Sequence, residues 1–154
     1  MADLLAKLYG PRELVIPPGY TLRRPMASEG SRLTEWVERV FSPGWASEIE
    51  PGISRVPATV LIAVHTGSMT PAGFCAWDCT AKGFLGPVGV KEEHRGKGMG
   101  RALVVSVLNA MEASGYGYAV IGDAGPGEFF EKACGATVIP HSSPGIYRER
   151  LSWK

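Results

Sequence analysis

The residues that speak most directly to chemistry are Arg95-Gly96-Lys97-Gly98-Met99-Gly100-Arg101, three glycines interleaved with three cations. Glycine lets a chain turn sharply and present successive N–H groups with no side chain in the way. An apolar stretch containing Val88 and Val90 leads in, and a helical pattern follows, so the loop opens a helix. The first turn of a helix brings unpaired N–H donors and the positive end of the dipole. With Arg95, Lys97 and Arg101 nearby, the stretch is an anion site, most naturally for a pyrophosphate. It is not a nucleotide-hydrolysing loop, because Lys97 is followed by Gly98 and Lys91 stands where the first glycine should be. Nor is it a dinucleotide fingerprint: counted from Gly98 the third glycine position is Leu103, and counted from Gly96 it is Arg101.

Asp78 is the other residue whose placement asks for a reason. A carboxylate ending the apolar stretch Phe74-Cys-Ala-Trp is either a raised-pKa general base near a cleft or the cap of a turn. Trp36, Trp45 and Trp77 could wall a substrate pocket, although Trp36 also fits a helical core stripe. The cysteines Cys75, Cys79 and Cys134 include no CxxC pair, and His65, His94 and His141 are far apart. No metal is expected, and no disulfide scaffold.

The elements that must position these groups follow from periodicity. Leu33, Trp36, Val37, Val40 and Phe41 share one face of a helix that Ser42-Pro43-Gly44 stops. A shorter helical piece is expected over 45–50, ended by Pro51-Gly52. Residues 58–64 and 72–79 read as a hairpin, and 83–90 as a third strand interrupted by Gly86-Pro87 and Gly89, hence bulged or parted from a neighbour. Leu103, Val104, Val107, Leu108 and Met111 give the long helix its buried face, and Gly115 closes it. Strands are then expected at 118–121, 136–139 and 146–151, with a short helix at 128–134. Residues 1–19, broken by Pro11, Pro17 and Pro18, are expected as an N-terminal extension to a single mixed α/β domain spanning 1–154.

Bulk composition agrees with a globular chain: 154 residues, 45% hydrophobic and 20% charged. A net charge of +1 leaves no electrostatic footprint for nucleic acid. Asp3 and Lys7 interrupt the first apolar run, so it reads as neither signal peptide nor membrane span, and a cytoplasmic protein is expected.

Arg95-x-x-Gly98-x-Gly100 after a Val-x-Val strand resembles the acetyl-CoA loop of the GCN5-related N-acetyltransferase superfamily, and the order of elements from about residue 20 to 151 is similar to that family throughout. The resemblance implies a mostly antiparallel sheet splayed at a cofactor gap and flanked by helices. It implies that acetyl-CoA is the co-substrate. Val88 and Val90 would offer backbone groups to its pantetheine arm and acetyl carbonyl, and residues Arg95, Gly96, Lys97, Gly98, Met99, Gly100 and Arg101 would wrap its pyrophosphate. Chemistry in that family is direct attack of a primary amine, on a small molecule or a protein, within a ternary complex. Glu48 would lie on the acceptor side and joins Asp78 as a candidate base. The helix after the gap carries Phe130 where relatives often place an acid tyrosine; Tyr147, Cys134 and His141 are the substitutes to weigh, Tyr147 foremost. Without that tyrosine, a non-catalytic acyl-CoA-binding domain is the alternative, and a longer or acidic acyl donor a further one. Such domains often pair through their last strands, which implies a homodimer. Trp45-Ala-Ser-Glu48, Asp78-x-Thr80 and the segment from Ser143 to Tyr147 resemble a narrower bacterial group and add nothing about the acceptor.

Overall fold

The computed structural model describes residues 1–154. In chain order the elements are β1 (Leu4–Lys7), β2 (Tyr20–Arg23), α1 (Gly30–Val40), α2 (Pro43–Ile53), β3 (Val60–His65), β4 (Thr70–Trp77), β5 (Phe84–Val90), α3 (Met99–Ala113), β6 (Tyr118–Ile121), α4 (Gly127–Cys134) and β7 (Thr137–Val138). The strands make one sheet in the order β2-β3-β4-β5-β6-β1-β7. Every neighbouring pair is antiparallel except β5 with β6.

Period-two alternation feeds two cores. Val60, Ile62, Val64, Phe74 and Ala76 face α1 and α2, against Leu33, Trp36, Val37 and Ile49. Their sequence neighbours Ala63, Cys75 and Trp77 face the opposite side, with Leu103, Val104, Val107, Leu108 and Met111 of α3. Both faces being covered, β3 and β4 read as near-continuous apolar runs. Trp36 is a core residue; of the stripe expected on α1, Leu33, Trp36 and Val37 are buried, and Val40 and Phe41 are half-buried.

Three expectations change. Helix α2 starts at Pro43 and runs through Pro51 to Ile53. Proline fits the first helical position, and Ser42 caps it by accepting from the Trp45 N–H at 3.1 Å. Pro51 is tolerated in the last turn, where Gly52 presses so close to the sheet that a Cβ would meet Cys79 Sγ at 2.4 Å. The segment 1–19 contains a strand: Leu4, Ala6 and Leu8 are buried, and β1 sits inside the sheet between β6 and β7. No strand forms over 146–151. The place beside β6 is already taken, and Gly145–Tyr147 make one 3₁₀ turn instead. No helix is long and apolar enough to cross a membrane.

Candidate active site

Strands β5 and β6 touch only at Phe84↔Val120 and Leu85↔Ile121. Beyond that they part. Along β4 the partners step from Trp77 to Cys75 while β5 advances from Leu85 to Val88, so Gly86 and Pro87 together oppose one residue. That bulge bends β5, and Pro87 has no N–H to offer β6. Gly86 at φ 123° supplies the turn. The N–H of Lys91 donates to the Ala72 carbonyl of β4 at 2.8 Å. By alternation, the backbone groups of Val88 and Val90 face away from β4, into the gap. A cavity of about 1160 Å³ fills that gap, walled by Gly86–Val90 on one side and Gly122–Pro126 on the other.

The glycine loop closes one end. Gly96 (φ 76°) and Gly98 (φ 86°) are both left-handed, and nothing stands within 4 Å of where their Cβ atoms would be. Gly98 is the N-cap of α3, and no side chain caps that helix. Its first N–H groups therefore look for an external acceptor, at the positive end of the dipole. A Cβ on Gly100 would meet Phe129 Cζ at 3.2 Å, so the ring of α4 packs over the first turn of α3.

Of the residues expected here, Val88, Val90, Arg95, Gly96, Gly98, Met99, Gly100 and Arg101 line the cavity. Arg95 Nε donates to the Val90 carbonyl at 2.9 Å, so that acceptor is already engaged. Met99 is 1% exposed, leaving only its backbone to serve. Lys97 does not line the cavity; its ammonium donates to Tyr20 Oη at 3.3 Å.

At the other end, α2 presents Glu48 to the cavity by burying its neighbours Ala46 and Ile49. Tyr147 Oη donates to Glu48 Oε1 at 2.9 Å, and Thr80 Oγ1 donates to the same oxygen at 3.1 Å. Glu48 and Tyr147 are 99 residues apart, and the fold makes them a pair. Burial first, then the hydrogen bond to Glu48 and its charge, pushes the Tyr147 phenol up to about 12. The Arg150 guanidinium lies over the Tyr147 ring, 4.4 Å from its centre. Phe41 and Trp45 form the apolar wall; Gly89 admits the Phe41 ring, which a Cβ would meet at 2.6 Å.

Asp78 is placed elsewhere. It does not line the cavity. At φ 55° it begins the β4–β5 turn, accepting from the Gly83 N–H at 2.7 Å and from Tyr116 Oη at 2.8 and 2.9 Å. Oδ1 thus caps the turn, and both oxygens have a partner in Tyr116. Trp77 is in the core and Trp45 in the cavity wall. His141 is exposed, and the Cys134 thiol donates to the Phe130 carbonyl at 3.1 Å, one turn back on its own helix. Thr80 was noted only within Asp78-x-Thr80, without a role, and Arg150 was not foreseen; an arginine in a tail carries no spacing signal. Phe130 is 4% exposed and lines the cavity without a hydroxyl.

Residues 27–136 match the acetyltransferase (GNAT) family. The chain is similar to a GCN5-related N-acetyltransferase from Sphaerobacter thermophilus: TM-score 0.74 and 26% identity, over 90% of this chain and 48% of that one. A tandem GNAT protein from the clavulanic acid biosynthesis pathway shares the fold at TM-score 0.58 and 18% identity, over 89% of this chain and 49% of that one. A GNAT acetyltransferase from Brucella melitensis, solved with acetyl-CoA, does so at TM-score 0.54 and 23% identity, over 72% and 80%. The chain thus spans about half the length of the first two. No curated protein matches it. Motif, splayed sheet and family match agree, and the chain belongs to the acetyltransferase (GNAT) family.

Proposed function

We propose that this chain moves an acetyl group from acetyl-CoA to a primary amine by direct attack, with Glu48 and Tyr147 handling the protons. The observation that carries it is that one cavity joins an uncapped helix N-terminus at Gly98 to a carboxylate–phenol pair at Glu48. The glycine loop fits a pyrophosphate: its left-handed glycines leave the approach open, and Arg95 and Arg101 flank it.

Acetyl-CoA supplies an activated acyl group and a good leaving thiol. The backbone groups of Val88, aimed into the gap, are suited to hold the acyl carbonyl and its developing charge. Glu48 accepts the proton that the attacking nitrogen loses. A phenol held near 12 does not by itself surrender a proton to a thiolate whose conjugate acid ionises near 8.5. The shared hydrogen bond resolves this. Once Glu48 is protonated it becomes the donor, and Tyr147 can pass its own proton to the departing sulfur as it takes the one from Glu48. Nitrogen loses one proton, sulfur gains one, and the pair returns to its starting state.

Calorimetric titration with acetyl-CoA and free CoA, followed by an amine screen, tests the reading. Micromolar binding of both is expected, and Gly98→Glu, which sets a carboxylate in the anion site, should abolish it. Wild-type affinity in Gly98→Glu would sink the loop assignment. A second reading, an acyl-CoA-binding domain without turnover, is favoured by Phe130 standing where the resemblance expects an acid. Tight binding with no acetylation of any amine would support it.

A further inference from the structure

The glycine loop has no side-chain cap of its own, yet it must hold a fixed shape to present its N–H groups. Ahead of α3, two side-chain attachments hold it. Arg95 ties it to β5 through the Val90 carbonyl. The other attachment is on the far edge of the sheet. Tyr20, the first residue of edge strand β2 and 8% exposed, has its hydroxyl 2.7 Å from His94 Nδ1 and 3.3 Å from Lys97 Nζ. Those two residues bracket Arg95 and Gly96.

Lysine ammonium only donates, so Lys97 donates to the phenolic oxygen. The phenolic hydrogen has a partner here when the His94 proton sits on Nε2 and Nδ1 accepts. Nδ1 accepts only when the imidazole is neutral. We propose that Tyr20 is a positioning residue for the acetyl transfer, and that its hydroxyl, bonded to neutral His94 and to Lys97, holds the glycine loop in its CoA-binding shape. This rests on the loop reading above.

The surroundings make the anchor sensitive to acid. The His65 ring stands 5.4 Å from the rings of both His94 and Tyr20. Its own Nδ1 pairs with Ser68 Oγ at 2.7 Å, and Ser68 with Thr70. Lys91 and Glu93 pair with each other at 2.7 Å beside the turn that carries His94. Burial lowers the His94 pKa below its ordinary value; Glu93 raises it somewhat, and His65, Lys97 and Lys91 lower it further. His94 is therefore neutral near pH 7. Protonated, it would make one phenolic oxygen accept from two cations, and the phenolic hydrogen would lose its partner.

The test is CoA affinity by calorimetry from pH 7.5 to 5.5, in wild type, Tyr20→Phe and His94→Asn. Asparagine keeps an acceptor near the Nδ1 position and cannot take a proton. At pH 7.5 Tyr20→Phe should bind CoA about three- to tenfold more weakly, the equivalent of one lost hydrogen bond, with kcat at saturating acetyl-CoA unchanged. His94→Asn should match wild type at pH 7.5 and bind increasingly tighter than wild type as the pH falls below the ordinary histidine value. The 3′-phosphate of CoA also titrates near pH 6, but identically for every variant, so the ratio between proteins reports the anchor. Parallel pH profiles for wild type and His94→Asn would overturn the proposal, as would undiminished binding by Tyr20→Phe. Absence of CoA binding by wild type at every pH would remove the loop reading itself, and the anchor with it.

Discussion

Glu48 and Tyr147 show what one shared hydrogen bond can do at the scale of single residues. Glu48→Gln keeps the shape of the pair and removes the proton acceptor, so kcat should fall about 10²-fold or more, the usual contribution of general base catalysis. Its affinity for CoA should stay at the wild-type value by calorimetry, because Glu48 lies at the opposite end of the cavity from Gly98. Tyr147 makes a prediction about pH. Its pKa is raised to about 12, so the phenol stays protonated through neutral and moderately alkaline pH. Tyr147→Phe should therefore lower the pH–rate profile without changing its shape between pH 6 and 10; a lost alkaline limb would mean the phenol ionises there. Both partners were candidates from the sequence and the resemblance; their pairing was not. The loop could be read because glycine and arginine at fixed spacing act through the local backbone. Pairing Glu48 with Tyr147 depends on where a tail of 3₁₀ turn and coil comes to rest, and no periodicity encodes that. Asp78 was visible as a carboxylate among apolar residues, and its oxygens accept from the turn at Gly83 and from Tyr116 beyond α3.

At the scale of elements, the entry to α1 is held by a small charge network. Glu29 accepts from Arg23 Nη1 and Nη2 at 2.7 and 2.8 Å and from the Met26 N–H at 2.8 Å. The hydrogen bond from Arg23, more than burial opposes it, depresses the Glu29 carboxyl to about 2. A depressed carboxylate stabilises the fold fully above its unfolded pKa, near 4.5, and loses that contribution as pH falls toward 2. The pair is about one-third exposed, so solvent screening keeps it small. Glu29→Gln should cost about 1 kcal/mol at pH 7 in urea melts. The difference should shrink as pH falls from 4.5 toward 2. Helices α1 and α3 were legible because their apolar stripes repeat over several turns. The break between β5 and β6 was legible because Gly86, Pro87 and Gly89 are poor strand residues in one short run. Four residues reading Leu-Leu-Ala-Lys carry no period that separates strand from helix, and β1 went unseen. Residues 146–151 carry no clean alternation, and the place beside β6 that a last strand would take is filled by β1, a property of the whole sheet.

At the scale of the molecule, β1 is what joins the two ends of the sheet's far side. Strand β7 pairs with β1 alone, and β6 has β1 as its only antiparallel neighbour. Leu8, just past the strand, is fully buried and donates its N–H to the Gly117 carbonyl at 3.0 Å. Leu8→Ala should therefore destabilise the protein by about 2–5 kcal/mol, as in other buried leucine truncations, measured by chemical denaturation. A cost below 1 kcal/mol would mean that this edge is not part of the cooperative core.

The position of β1 also orders events in time. Asp3, at its start, accepts from the Asp123 N–H, a contact between residues 120 apart in sequence. The segment that opens the sheet's far side is thus synthesised about 120 residues before its partner and cannot be placed until β6 has been made. Until then Leu4, Ala6 and Leu8 have no surface to cover, and closing so long a loop is among the slower steps a small domain can face. During translation the wall of the cavity around Asp123 is completed late, so a nascent chain would acquire its glycine loop and α3 before it owned a closed site for them to serve.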